Sequence, residues 1–339
     1  MEIDDAKKPF FSIVMPAYNA EKFIGEAVDS VIAQSFHNWE LVIVDDCSND
    51  RTSDIIKNYI DKDNRIIAYK ASKNSGSAFQ PRKKAIEMAN SEWILYLDSD
   101  DYIEKDYLSN FYFAIESASL DLVLGEMVFV NEYGASIGVT LPLPKVNTTK
   151  KYKGRELVKD TLNGWAIGFN CAAIKKNILM NIFDFFDINS SSLADDELMS
   201  RYILLKTNGV TFVDAKYYYR INPESITNRV SVKTFDILDS DISILNLIEK
   251  EFGASSIEME RAAIMQFHDL SRCIVTLCTN KFSIKDKINI EKKIKHSYGH
   301  IKWSLLNGKV NRLKILAMRS GLKSFKLMYK IYEFTWRRK

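Results

Sequence analysis

The 339-residue chain is poor in residues that break regular structure, with 13 glycines and six prolines. That scarcity excludes collagen-like and low-complexity architectures and leaves room for long helices and strands. Cys47, Cys171, Cys273 and Cys278 are its only cysteines. They form no CxxC pair, which argues against a zinc ribbon or a disulfide framework. Of four histidines, His296 and His300 stand four apart, but no Glu completes a zincin motif. No apolar run approaches the ~20 residues needed to cross a bilayer. Residues 1–5 are acidic and have no apolar h-region, so no export signal is expected and the thiols are expected to be reduced, in a cytoplasmic protein. GxGxxG and GxxxxGKS/T are both missing, so neither the usual dinucleotide fingerprint nor a P-loop is available.

Charge is nearly balanced overall at +3 but unevenly placed. Residues 281–339 hold 17 Lys and Arg against three Asp and Glu, a net +14. The first 280 residues therefore carry −11. An acidic body repels a phosphate backbone, so nucleic acid is not expected as a partner despite the basic, aromatic C-terminal segment.

What is present is an alternation of apolar runs and amphipathic segments. Residues 11–16, 39–44, 65–71 and 93–97 read as strands; 21–34, 50–62 and 81–89 have helical spacing. Such βαβ alternation predicts a parallel sheet covered by helices, with the strand ends gathered on one rim by right-handed crossovers. A helix over 105–117 and a strand over 120–130 follow, with 131–149 expected as a loop. Residues 155–162 and 193–205 read as helices, and 210–213 as a short strand. From 233 onward the pattern is helical, with Phe235, Leu238, Ile242, Leu245 and Ile248 on one face.

The chemistry gathers at Asp98-Ser99-Asp100-Asp101, where the apolar run 93–97 ends in three carboxylates. Carboxylates this close need solvent, a cation or a basic partner. In open α/β sheets ligands bind beyond the carboxyl ends of the strands. The same rim collects Pro16, Ala17 and Tyr18 from the first strand and Asp45 and Asp46 from the second. An aromatic face, hydrogen-bond acceptors and a hard-metal ligand are what a nucleotide diphosphate requires. A solvated acidic loop capping the next helix is the plainer reading of the same residues.

Taken in order, residues 12–19 (SIVMPAYN), 40–48 (ELVIVDDCS), Asn74-Ser75-Gly76 and 95–101 (LYLDSDD) resemble the inverting family 2 glycosyltransferases used in bacterial surface polysaccharide synthesis. The resemblance covers about the first hundred residues. It implies an α/β GT-A (Rossmann-like) fold, with a mostly parallel sheet flanked by helices and a C-terminal helical extension. It also implies a division into a glycosyltransferase domain over 1–230 (nucleotide-binding half 1–102, acceptor-side half 103–230) and a basic helical region over 231–339. By this resemblance Tyr18 stacks on the nucleobase and Asp46 accepts a base N–H. Pro16, Ala17, Asp45 and Ser99 complete the donor site, Asp98 reaches the ribose, and Asp100 holds Mn2+ or Mg2+. Arg82 stands where the family places a basic residue near the base or diphosphate, but the flanking residues, Gln80-Pro81 and Lys83, depart from the common Ala-Arg-Asn pattern. In Asp195-Asp196-Glu197-Leu198, Asp195 replaces a Glu and Asp196 falls at the catalytic base. Acids opening a helix are also what the helix dipole favours. Arg220 falls near the diphosphate.

The implied reaction moves a sugar from a nucleotide-diphosphate donor, expected to be a UDP-sugar, to a glycan or lipid-linked acceptor. A non-catalytic sugar-nucleotide or glycan binder on the same fold is the alternative. Residues 321–339 place Lys323, Lys326, Lys330 and Arg337 on one helical face and Phe325, Met328, Tyr332 and Trp336 opposite. Such a segment suits an anionic membrane surface, at the inner face of the membrane, or packs its apolar side on the body.

Overall fold

The computed structural model describes residues 8–141, 150–162, 169–185, 195–221, 230–321 and 323–327. Two compact units emerge. The first comprises Met1–Leu157, Trp165–Ser191 and Tyr202–Ser225; the second comprises Val158–Gly164, Ser192–Arg201 and Ile226–Lys339.

The first unit is built on a sheet. Strands β1 (Phe11–Ala17), β2 (Trp39–Asp45), β3 (Ile66–Lys70) and β4 (Trp93–Tyr96) lie parallel in the order β3-β2-β1-β4. β1, β2 and β4 are buried along their whole length, which is why they read as unbroken apolar runs rather than alternating ones. Pro16 sits in a central strand without breaking a rung toward β4, because strand pairing with β4 ends at Val14. Helix α1 (Ile24–Ile32) buries Ile24, Ala27, Val28 and Val31, the i, i+3, i+4, i+7 face of an amphipathic helix. α2 (Thr52–Ile60) and α3 (Phe79–Met88) complete the crossovers.

Beyond β4 the sheet is mixed rather than mostly parallel. β5 (Tyr102–Ile103) precedes α4 (Tyr107–Ser117), and β6 (Leu122–Val130), expected as a strand, pairs antiparallel with β7 (Ser136–Leu141), which lies in the segment expected to be loop. α5 (Gly154–Thr161) leads to β8 (Ala172–Lys175) and α6 (Lys176–Phe185). β8 runs antiparallel to both β4 and β6, and β5 antiparallel to β9 (Val210–Arg220), while β6 and β9 are parallel. β9 extends through 11 residues, where only a short strand over 210–213 is expected from sequence. A register shift in its pairing with β6 and the exposed Asp214 interrupt the alternation midway, and that hides the continuity.

The second unit is helical. It contains α8 (Ile237–Phe252), α9 (Ile257–Thr279), α10 (Ile284–Gly299) and α11 (Arg312–Arg319), preceded in the chain by the start of α7 (Asp195–Lys206). Ser256 and Ser283 cap α9 and α10 by accepting the N–H of Met259 and Asp286. Phe235, Leu238, Ile242, Leu245 and Ile248 are all buried, as their spacing predicts. Phe325 is buried too, while Lys326 pairs with Glu291 at 3.4 Å. Residues 328–339 lie outside the described residues.

Candidate active site

Parallel pairing brings the carboxyl ends of β1, β2 and β4 to one rim. Ala17 stands opposite Asp45, and Val14 opposite Tyr96. The chain leaves β1 and β2 through turns that require left-handed backbone at Asn19 (φ 48°) and Cys47 (φ 63°). These turns are tied to one another. Asp46 donates its N–H to Ala17 O at 2.8 Å, Asn19 N–H reaches Ser48 Oγ at 3.0 Å, and Asn49 N–H reaches Asn19 Oδ1 at 2.9 Å. Tyr18, between them, leaves 46% of its surface open at the rim.

The adjacent acids Asp45 and Asp46 have different surroundings. Asp45 is buried; its carboxylate accepts Ser48 N–H at 2.9 Å and the Ser53 hydroxyl, so it braces the turn into α2. Asp46 accepts Ser75 N–H at 2.9 and 3.0 Å and the Ser75 hydroxyl at 2.8 Å. That ties it to the loop containing Gly76, whose φ of 81° suits glycine.

The turn after β4 holds three carboxylates in three states. Asp98 is neutralised by Arg82, whose Nη2 lies 2.8 and 3.1 Å from its two oxygens, and it accepts Asn170 Nδ2 at 2.6 Å. Asp101 is buried and accepts the Tyr217 hydroxyl at 2.6 Å and Arg220 N–H at 2.8 Å. Burial, then the charges of Asp100 and Asp98, push its carboxyl well above the usual range. Asp100 is half-buried, and no group of another described residue donates to its carboxylate. Burial first, and Asp98's charge second, raise it to about 6. Ser99, between them, is half-buried.

Arg220 is held inside the protein. Its guanidinium donates to Asp100 O at 2.9 Å, Glu132 O at 2.7 Å and Glu26 Oε2 at 2.7 Å, and lies over the Phe23 and Tyr102 rings. It clamps the turn from beneath. Asn170 and Tyr217, which sequence reasoning does not single out, complete the site; only the strand pairing brings them to residues 72 and 116 positions away.

In the second unit, Asp196 is exposed in the first turn of α7, with its carbonyl accepting the Ser200 hydroxyl at 2.6 Å. The Asp195 side chain lies outside the described residues, as do 164–168 and 222–229. The motif-free histidines of α10 stack edge to face at 4.7 Å, and His300 Nδ1 contacts His296 O.

Could this rim hold a divalent cation? No cluster of three or more His, Cys, Asp or Glu suited to a metal forms among the described residues. Asp100 nevertheless offers what a hard cation takes: a carboxylate that accepts, among the described residues, only from its own backbone N–H. One carboxylate with phosphate and water oxygens is the usual donor set of a nucleotide-bound Mg2+ or Mn2+. The residues fit such an ion.

Comparison with known proteins identifies the family and the fold. The family model described as Glycosyl transferase family 2 matches residues 12–183, just over half the chain. The poly(ribitol-phosphate) β-N-acetylglucosaminyltransferase TarS of Staphylococcus aureus is 29% identical over 284 residues, spanning 82% of this chain and 46% of that protein. The putative teichuronic acid biosynthesis glycosyltransferase TuaG of Bacillus subtilis is 46% identical over 101 residues, 30% of this chain and 40% of that protein. This chain thus spans less than half the length of either of these relatives. The crystal structure of S. aureus TarS residues 1–349 in complex with UDP-GlcNAc superimposes with a TM-score of 0.70 at 21% identity, covering 96% of this chain and 92% of that one. The architecture is therefore the GT-A fold, a mixed sheet flanked by helices with C-terminal helices, and the chain belongs to glycosyl transferase family 2.

Proposed function

We propose that this chain is an inverting glycosyltransferase that moves a hexosyl or N-acetylhexosaminyl group from a UDP-sugar to a hydroxyl of a cell-surface glycan or its lipid-linked precursor. The observation that carries the reading is the contrast within one turn: Asp98 and Asp101 are engaged by other side chains, and the Asp100 carboxylate, beside Asp98's charge, is engaged by no other described residue. The names of the relatives TarS and TuaG, both tied to cell-surface polymers, support the substrate class.

In this reading Tyr18 supplies a face for the uracil, and Asp46 accepts from the base edge. Asp98, Ser99 and the backbone of Pro16 and Ala17 line the ribose side, with Arg82 holding Asp98 in place. Asp100 would hold Mn2+ or Mg2+, and a bound ion would neutralise the charge of the departing diphosphate. Asp196, exposed at the start of its helix, takes the proton of the acceptor hydroxyl. The acceptor oxygen then bonds to the anomeric carbon as the bond to the diphosphate oxygen breaks, and the configuration inverts. The C-terminal segment, +14 over its last 59 residues and with Ile284, Ile288, Leu313 and Leu316 exposed among its lysines and arginines, favours an anionic membrane surface where a lipid-linked acceptor is found. No helix among the described residues is long and apolar enough to cross a membrane.

The test is release of UDP from UDP-GlcNAc and other UDP-sugars in the presence of Mn2+, with Asp196→Asn alongside. The expected result is turnover by the native chain and loss of about 100-fold or more in the variant, at unchanged UDP affinity. Donor binding without turnover, across a panel of glycan acceptors, would favour the non-catalytic binder.

A further inference from the structure

The acidic turn is shaped by a strand far from it in sequence. Asp101 N–H donates to Asp98 O at 3.1 Å and closes the turn from within. Its other inward-facing groups are met by β9. The Tyr217 hydroxyl donates to Asp101 Oδ2 at 2.6 Å and accepts Asp98 N–H at 3.1 Å and Asn170 Nδ2 at 3.3 Å. One donor and two acceptances exhaust what a phenol can do. A single oxygen therefore holds both ends of the turn. That oxygen has little freedom. The Tyr217 ring is fully buried in the core shared by β1, β2 and β4, and Tyr218 next to it pairs with Tyr102 across β5 and β9. Three residues along β9, Arg220 adds its N–H to Asp101 and its Nε to Asp100 O. The backbone and both flanking carboxylates are thus fixed, and the Asp100 side chain alone is left to reach outward.

We propose that Tyr217 is a positioning residue: its hydroxyl pre-shapes the 98–101 turn so that the Asp100 carboxylate meets a divalent cation and diphosphate without reorganisation. The proposal rests on the reading that Asp100 is the cation's ligand. Tyr217 touches neither donor nor cation in this role; it acts through Asp98 and Asp101. Removing its oxygen orphans a buried carboxylate oxygen and loosens the Asp98 N–H, and the turn must then be ordered by the ligand itself.

The experiment compares full-length native protein, Tyr217→Phe, Asn170→Ala and Asp100→Asn. Mn2+ binding in the presence of UDP is followed by the electron paramagnetic resonance of free Mn2+, with steady-state kinetics on UDP-GlcNAc and thermal melts in parallel. Tyr217→Phe is expected to raise the half-saturating Mn2+ concentration and the donor KM about tenfold, with kcat largely restored at saturating Mn2+. Asn170→Ala, which removes the 2.6 Å contact to Asp98 together with the 3.3 Å contact to the Tyr217 hydroxyl, is expected to shift both about threefold and keeps the test open should Tyr217→Phe not fold. A purely structural role would lower the melting temperature and leave the Mn2+ titration of the folded protein unchanged, and that result overturns the proposal. Native Mn2+ and UDP binding in Asp100→Asn would instead remove the reading beneath it, and the proposal with it.

Discussion

Arg82 and Asp98, 16 residues apart, form a two-point contact at the rim, with Arg82 Nη2 lying 2.8 and 3.1 Å from the two carboxylate oxygens. Both side chains are largely shielded from solvent, at 15% and 23% exposure, so the pair is screened less than a surface salt bridge. It sets an opposite charge against one carboxylate of a crowded turn.

Arg82→Ala should therefore weaken UDP binding by about tenfold, the order expected for a charge-assisted hydrogen bond. Arg82→Lys should recover part of the loss, since a point charge replaces a planar fork. Calorimetric titration with UDP checks this; unchanged affinity in Arg82→Ala would make the pair a decoration of the surface of α3.

Asp100 predicts a pH dependence of stability without ligands. Its folded carboxyl sits at about 6 against an ordinary 3.8. The contribution it makes is full below 3.8 and is lost as pH rises through about 6. At pH 7.5, without metal, Asp100→Asn should melt roughly 1–4 °C above the native protein, and the gap should close near pH 4. Adding Mn2+ and UDP should reverse the order at pH 7.5, since only the native protein gains the full ligand stabilisation. Thermal melts at the two pH values decide it.

In the helical unit, Asp241 is buried with no partner for either carboxylate oxygen among the described residues. Burial, then the charges of Asp269 and Glu197, push its carboxyl well above the usual range, against a smaller pull from Arg201 and Arg272. Folding thus favours the protonated acid, and stability falls as pH climbs past the unfolded value toward the folded one. Asp241→Asn has no proton to lose. Its melting temperature relative to the native chain should rise between pH 4 and pH 8; a constant difference would show that the acid is solvated after all.

Sedimentation with vesicles tests the C-terminal segment. The full chain should pellet with vesicles rich in anionic lipid, and removal of residues 320–339 should reduce recovery, more so at low salt. Equal recovery of the two proteins would end the membrane assignment for that segment. Burial of Phe325 already commits part of its apolar side to the protein.

Much of the acidic rim was legible from sequence because its elements are local. A buried parallel strand reads as an apolar run, and carboxylates placed at its end stand out against it; β4 and Asp98 to Asp101 follow this pattern. The second half of the sheet was less legible. β8 is four residues, two of them alanine, with little strand signal of its own. β9 is interrupted by the register shift and by Asp214. Tyr217 and Asn170 were missed for the same reason: nothing near them in sequence marks them, and only the antiparallel pairing of β5 with β9 and of β4 with β8 brings their segments to the acidic turn. Asp45 and Asp46 read alike, and only the folded turn separates the acid that braces the turn into α2 from the acid tied to Ser75.

The account turns on Asp100 presenting to a cation that carries the donor's phosphates a carboxylate that no other described residue engages. Calorimetric titration of UDP into native protein and Asp100→Asn, each with Mn2+ and with EDTA, tests that most directly. The predicted result is tight binding only for native protein with Mn2+, weakened at least about tenfold by either EDTA or the substitution. Equal UDP affinity in all four titrations would contradict it.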